Sequence, residues 1–215
     1  MTYTPSAGIR TSFAALQKFV APRAPAAERC DFCSAALSVD HQHLIPLQSR
    51  NLVCACDACA VLFGSSGETK YRRLTRTIRY LPDFRQTDSQ WEALGLPIGL
   101  AFFFYSTPAG KVVALYPSPG GPTESLLDLA AWNEIAALNP AVKEMEPDIE
   151  GLLVNRVKEA RDYYRVPIDV CFKLTGLIRR SWRGFSGGAQ VWREIDQFFA
   201  DLKQRAKARG ETSCA

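Results

Sequence analysis

The clearest pattern of apolar and polar positions lies near the middle of the chain. Aromatic and β-branched residues fill two runs, residues 99–105 and 111–116, and turn-forming residues at 106–110 separate them. Such runs favour extended strands, and a short turn between them joins antiparallel neighbours. The pattern therefore predicts a β-hairpin, which a loop at residues 117–122 ends.

Apolar residues recur at helical spacing in three later segments, residues 124–138, 169–180 and 189–207. Asn139 and Pro140 close the first predicted helix, and Asp169 is placed to cap the second. The side chains predicted to be buried on these helices are Leu127, Ala130, Ala131, Ile135, Val170, Leu174, Leu177, Ile178, Val191, Trp192, Ile195, Phe198, Phe199 and Leu202.

Two further short strands are predicted at residues 152–157 and 163–168. Between residues 70 and 85 the apolar spacing fits both a strand and a helix, so the pattern leaves that segment open. Because the predicted strands and helices are segregated along the chain, the fold class is α+β.

The chain divides into three predicted parts. Residues 1–28 are rich in proline and alanine and form a flexible lead-in, with a short amphipathic helix at 13–20. Residues 29–66 hold most of the cysteines and form a small module that ends at a glycine and serine turn. Residues 67–210 form an α+β domain with the β-hairpin and the C-terminal helices.

The composition is that of an ordinary water-soluble protein, with 47% hydrophobic and 22% charged residues. The longest apolar run, residues 94–104, is interrupted by glycine and proline and is shorter than the roughly 20 residues that a membrane span needs. The N-terminal region lacks the cationic start and following apolar block that are typical of an export signal. We therefore expect a cytoplasmic protein; the net charge of +4 is too small to identify a partner.

Cysteine spacing carries the strongest chemical signal. Cys30 and Cys33 form one C-x2-C pair, and Cys56 and Cys59 form another within the same short segment. In a reducing compartment, such crowding indicates metal ligation rather than disulfides. Two tight pairs can bring four thiolates around one ion, and four soft anionic ligands suit tetrahedral zinc. The prediction is a structural zinc site with these four ligands.

Two alternatives stay open at this site. Cys54, His41 and His43 are near in sequence and are substitute ligands. Iron is the rival metal, because two C-x2-C pairs also build rubredoxin-like electron-transfer centres. Those centres usually have glycine after the second cysteine of each pair, whereas Ser34 and Ala60 stand there in this chain, which favours zinc.

A basic run follows the cysteine module and is a candidate interaction surface for nucleic acid or for an acidic protein face. The alternative is an ordinary solvated face of a strand or helix. The run consists of Lys70, Arg72, Arg73, Arg76 and Arg79.

Part of the cysteine module resembles the treble-clef zinc scaffold of HNH endonucleases. The resemblance rests on His43-Leu44-Ile45-Pro46, on Asn51-Leu52 and on the two cysteine pairs. In that family the histidine at the position of His43 activates water, and metal-binding side chains stand where this chain has Gln42 and Ala60. Because both of those groups are missing here, we expect a degenerate treble-clef or zinc-ribbon-like module without nuclease chemistry.

A wider resemblance covers nearly the whole chain. Its members form an uncharacterised bacterial family encoded beside nickel-iron hydrogenase genes of the actinobacterial, high-affinity type. The phrases that carry this resemblance are His43-Leu44 through Cys54-Ala55-Cys56, Tyr116-Pro117-Ser118-Pro119, Thr123-Glu124-Ser125, Pro147-Asp148-Ile149-Glu150-Gly151-Leu152-Leu153, Val166-Pro167-Ile168-Asp169-Val170-Cys171, Trp182-Arg183-Gly184-Phe185 and Gly187-Gly188.

This resemblance implies a non-enzymatic accessory or maturation role in hydrogen oxidation. The expected partner is then a protein, either a hydrogenase subunit or a maturation factor. The competing expectations are a nucleic-acid-binding module that descends from the HNH scaffold and a rubredoxin-like iron electron carrier.

Overall fold

A computed structural model describes residues 28–46, 48–49, 51–64, 70–126, 128–184 and 186–211. Apart from residue 28, the predicted lead-in with its helix at 13–20 lies outside the described residues. The fold is α+β, as predicted, with one three-stranded and one six-stranded antiparallel sheet.

The strands of the described residues are β1 (Gln42–Pro46), β2 (Val53–Ala55), β3 (Tyr71–Arg73), β4 (Arg79–Tyr80), β5 (Leu100–Ser106), β6 (Lys111–Ser118), β7 (Gly121–Ser125), β8 (Glu150–Asn155) and β9 (Asp162–Pro167). The helices are α1 (Asp57–Phe63), α2 (Asp88–Ala93), α3 (Leu129–Leu138), α4 (Pro140–Lys143), α5 (Ile168–Ser181) and α6 (Gly188–Glu211). Among these described helices, none combines the length and the apolarity needed to cross a membrane.

The small sheet has the strand order β2-β1-β3 and carries helix α1 beside it. Its own small core contains Leu44, Ala55 and Ala60, all at most 1% exposed. Phe32 and Phe63 stack on this core with ring centroids 4.5 Å apart. Strand β3 lies beyond residue 66, where the sequence places the end of the module, and it pairs with β1.

The segment 70–85, which the sequence left open between strand and helix, contains β3 and β4 and no helix. β4 joins the edge of the large sheet by pairing with β9. Leu74 and Ile78 lie between the two strands and are buried in the core of the large sheet. The segment therefore connects the two sheets.

The large sheet has the strand order β4-β9-β8-β5-β6-β7. The predicted hairpin is confirmed as β5 and β6, and the two predicted strands near 152–157 and 163–168 are confirmed as β8 and β9. The loop predicted at 117–122 is wrong, because β6 continues to Ser118 and β7 pairs back onto it. A tight turn makes this reversal, with Gly121 at a φ of 123° and the Ser118 hydroxyl donating to its carbonyl at 2.8 Å.

The first predicted helix begins later than the sequence indicated, because the residues up to Ser125 are used by β7. Helix α3 starts at Leu129, and Asp128 caps it by accepting hydrogen bonds from the backbone N–H groups of Ala130 and Ala131. Of the predicted buried face, Ala131 and Ile135 are buried but Ala130 is exposed, and Leu127 lies outside the described residues.

The last two predicted helices are confirmed as α5 and α6. The prediction that Asp169 caps α5 is wrong, because Pro167 occupies the N-cap position and Asp169 lies in the first turn. Most of the predicted faces are buried, whereas Leu177, Trp192 and Phe198 are only partly buried against the core.

The large sheet is covered on both faces. Phe102 and Phe104 belong to one core together with residues of α5 and α6, and Phe103 belongs to a second core on the opposite face. This alternation follows from the two-residue period of side chains along a strand. On the second face, the Trp132 ring of α3 stacks on Phe103 with centroids 4.6 Å apart.

Candidate metal centre

The structure brings the four cysteines of the two C-x2-C pairs together. The sulfur atoms of Cys30, Cys33, Cys56 and Cys59 all lie within 4.8 Å of one another, and those of Cys33 and Cys56 are 3.7 Å apart. Four sulfurs at about 2.3 Å around a tetrahedral ion lie about 3.8 Å from each other. The group therefore has the size and the donor chemistry to hold one metal ion.

The first pair is held by a tight turn between residues 30 and 35. The Cys30 carbonyl accepts a hydrogen bond from the Ser34 N–H at 2.8 Å, and the Cys30 N–H donates to the Ala35 carbonyl at 2.9 Å. Ser34 adopts a φ of 60°, a conformation that glycine adopts more readily. The turn is tied to β2, because the Asp31 carboxylate accepts from the Cys54 N–H at 2.7 Å.

The second pair lies at the start of helix α1. Cys56 is the N-cap residue, with extended backbone angles, and Cys59 is in the first turn. The Ala60 N–H donates to the Cys56 carbonyl at 2.8 Å and closes that turn. Because residues three apart face the same side of a helix start, the two sulfurs point toward the first pair.

Backbone hydrogen bonds stabilise the thiolate of Cys30. Burial of this sulfur is the largest single influence and opposes ionisation, but the backbone N–H groups of Cys56, Cys33 and Phe32 together outweigh it. They lower the pKa of Cys30 from 9.0 to about 6. The lowered pKa favours the thiolate, which is the form of cysteine that binds a metal ion.

Cys59 shows the opposite behaviour. Burial and then the neighbouring sulfurs of Cys56, Cys33 and Cys30 raise its pKa to about 12. Four thiolates in this small volume repel one another, so a cation has to neutralise them before all four ionise.

Zinc affinity should fall as the pH falls from about 8 to about 6, because the Cys59 thiol must release its proton to bind. For each proton that is released on metal binding, the apparent affinity falls by about tenfold when the pH falls by one unit. Competition between the protein and a chromophoric zinc chelator across this range measures the effect. An affinity that stays constant with pH would contradict ligation by the Cys59 thiolate.

The three substitute ligands form a separate group. His41, His43 and Cys54 each offer one donor atom, and these atoms lie within 4.8 Å of one another. His43 on β1 pairs directly with Cys54 on β2. The His43 Nδ1 atom is 2.8 Å from a carboxylate oxygen of Asp169 on α5. Sequence reasoning missed this contact, since the two residues are far apart in the chain and nothing local signals it.

The residues of the predicted basic surface make separate contacts. Arg72 forms an ion pair with Glu146, and Arg76 donates to the Asp40 carbonyl at 2.9 Å. The Lys70 ammonium lies 5.5 Å from the centroid of the Tyr71 ring. Arg73 and Arg79 are exposed on different strands.

The fold and the cysteine group define an α+β protein with a tetracysteine site able to hold one metal ion. The chain belongs to the family described as Family of unknown function (DUF5947), which matches residues 29–206. The match includes all four cysteines and both sheets, and it confirms membership of an uncharacterised family. Comparisons with curated proteins and with solved structures found no match.

Proposed function

We propose that this chain is a zinc-binding accessory protein that acts by contact with another protein, in a nickel-iron hydrogenase system. Zinc binding is supported by the tetracysteine group, whose sulfurs lie within 4.8 Å of one another. Four protein thiolates fill a tetrahedral coordination sphere and leave no position for a substrate. Such a closed site has a structural role.

The order of elements around the cysteines supports the treble-clef resemblance. The first pair lies in a turn, the hairpin of β1 and β2 follows, and helix α1 supplies the second pair. At the two positions where HNH nucleases hold their catalytic metal, the Gln42 amide donates to Asp57 at 3.0 Å and Ala60 is buried. Neither side chain offers a metal donor of the nuclease kind, which supports a non-enzymatic role.

An exposed apolar surface beside the metal centre supports a protein partner. Val61 and Leu62 follow Cys59 on helix α1 and are 60% and 70% exposed. A metal-stabilised helix holds these side chains in place, and apolar side chains at a rigid surface are common anchors of protein contacts. The hydrogenase system is proposed from the sequence resemblance over the whole chain.

Co-purification from the native host tests this proposal. Tagged protein should retain hydrogenase subunits or their maturation factors, identified by mass spectrometry. The Leu62→Asp variant should reduce their recovery by about tenfold, because it places a charge in an apolar contact. A matched control is Leu126→Asp, which changes another exposed leucine, 98% exposed, after β7. Eluates of the unmodified protein without any hydrogenase component would contradict the proposal.

The same preparation tests the two competing functions. Visible absorption from ferric thiolate would support the rubredoxin-like electron carrier. Salt-sensitive DNA binding that is lost on charge reversal of Arg72 and Arg73 would support the nucleic-acid-binding module.

A further inference from the structure

We propose that His41, His43 and Cys54 form a second metal site, distinct from the tetracysteine centre and open to an external ligand. One donor atom of each residue lies within 4.8 Å of the others. His41 directly precedes β1, and its ring lies against that of His43 with the two centroids 4.6 Å apart. Cys54 is the direct partner of His43 across the β1 and β2 pair.

Both imidazoles are oriented by a hydrogen bond at Nδ1. The His41 Nδ1 atom is 2.9 Å from the Ser38 carbonyl, and the His43 Nδ1 atom is 2.8 Å from the Asp169 carboxylate. A carbonyl and a carboxylate are acceptors, so each Nδ1 carries the proton and each Nε2 keeps its lone pair. Metal-binding histidines are commonly oriented in this way.

The Nε2 atom of His41 is the observation that points to a ligand. The His41 side chain is only 6% exposed, and its Nε2 atom is buried with no hydrogen-bond partner among the residues that the structure describes. A buried nitrogen with a free lone pair is unfavourable unless something binds it. A metal ion shared with His43 and Cys54 would satisfy this atom.

The donor set and the nearby charges indicate the class of ion. Two imidazoles and one thiolate suit zinc and related divalent transition ions, rather than calcium or magnesium. The Glu28 carboxylate lies 3.5 Å from the His41 Nδ1 atom, and the Asp169 carboxylate lies against His43. These negative charges would balance those of a bound cation.

The group formed by His41, His43 and Cys54 has fewer protein donors than a closed structural site. Only three protein donors meet here among the described residues, so a tetrahedral ion would keep one position for a non-protein ligand. Both histidines line a cavity of about 660 Å³ beside helix α5. Its lining carries charges of both signs, from Glu28, Asp40, Asp169, Arg76, Lys173 and Arg205. Water in this cavity would supply the remaining ligand.

Cobalt titration of the reduced, metal-free full-length protein tests the second site. Unmodified protein should bind two equivalents of Co²⁺, one with the spectrum of four thiolates and one with the weaker charge-transfer band of a single thiolate. The His41→Ala and Cys54→Ala variants should each bind one equivalent and keep the four-thiolate spectrum, which also reports that they are folded. Gln42→Ala is the matched control at the position next to His41. This variant should still bind two equivalents, because the Gln42 side chain contacts Asp57 instead.

Two results would overturn the second site. One is binding of a single equivalent by the unmodified protein, and the other is retention of two equivalents by both His41→Ala and Cys54→Ala. The spectrum separates this outcome from failure of the tetracysteine centre. A single equivalent with the four-thiolate spectrum shows that only the second site is missing, whereas loss of the four-thiolate spectrum shows that the tetracysteine centre has failed.

Discussion

Replacement of Cys56 and Cys59 by serine should remove the bound metal ion and unfold the small sheet. Closure of a four-thiolate site supplies on the order of 10 kcal/mol of folding free energy to a small metal module. The described part of the small sheet has a small core of its own around Leu44, Ala55 and Ala60, so the metal is expected to supply much of its stability. Since whole domains are stable by about 5–15 kcal/mol, such a loss exceeds what the module can tolerate.

Amide hydrogen exchange measures this loss. The N–H groups of Leu44 and Ala55 should be protected in the metal-bound protein and exchange freely in the double variant. Cys171→Ala is the control, because this cysteine lies on α5, is fully buried in the core of the large sheet and is outside the tetracysteine group. Unchanged protection of Leu44 and Ala55 in a metal-free double variant would show that the core, and not the metal, holds the small sheet.

Replacement of Phe103 by alanine should lower the free energy of unfolding by about 3–5 kcal/mol. Phe103 is 1% exposed and stacks on Trp132, so its removal leaves a cavity between β5 and α3. Chemical denaturation measures the effect. Tyr105→Ala is the matched control on the same strand. Because Tyr105 is 41% exposed, this substitution should lower the free energy of unfolding much less. A loss below about 1 kcal/mol for Phe103→Ala would mean that this face is not a packed core.

Parts of the fold were predictable because local sequence determines them. The hairpin of β5 and β6 combines aromatic runs with a turn-rich connection, and α5 and α6 have regular apolar stripes. Strand β7 was missed because proline and glycine at residues 117–122 indicate a loop, whereas pairing with β6 decides its conformation. The same error lengthened the predicted first helix into residues that β7 occupies.

In the candidate site, too, local sequence predicted some features and tertiary structure determined the others. Spacing alone predicted that two C-x2-C pairs would meet, and the structure brings their sulfurs together. Spacing did not separate His41, His43 and Cys54 from that group, because their grouping depends on the register between β1 and β2. The contact between His43 and Asp169 depends on the tertiary fold, because the two residues are far apart in the chain and no local sequence pattern indicates their proximity.

This contact also connects the metal module to the larger part of the fold. Ile45 and Leu74 belong to the core of the large sheet, although they lie in or next to the small sheet. The His43 and Asp169 hydrogen bond adds a polar link at the same junction. A metal ion at the tetracysteine group, by ordering β1 and β2, would therefore also position the cavity wall formed by His41 and His43.

The most direct test of the tetracysteine centre is X-ray absorption at the zinc edge. The His41→Ala variant of the full chain, purified with the metal that it acquires in its native host, leaves only this centre to be observed. We expect one zinc ion with four sulfur neighbours at about 2.3 Å. Protein without bound metal, or a zinc ion whose neighbours are nitrogen and oxygen instead of sulfur, would contradict this expectation.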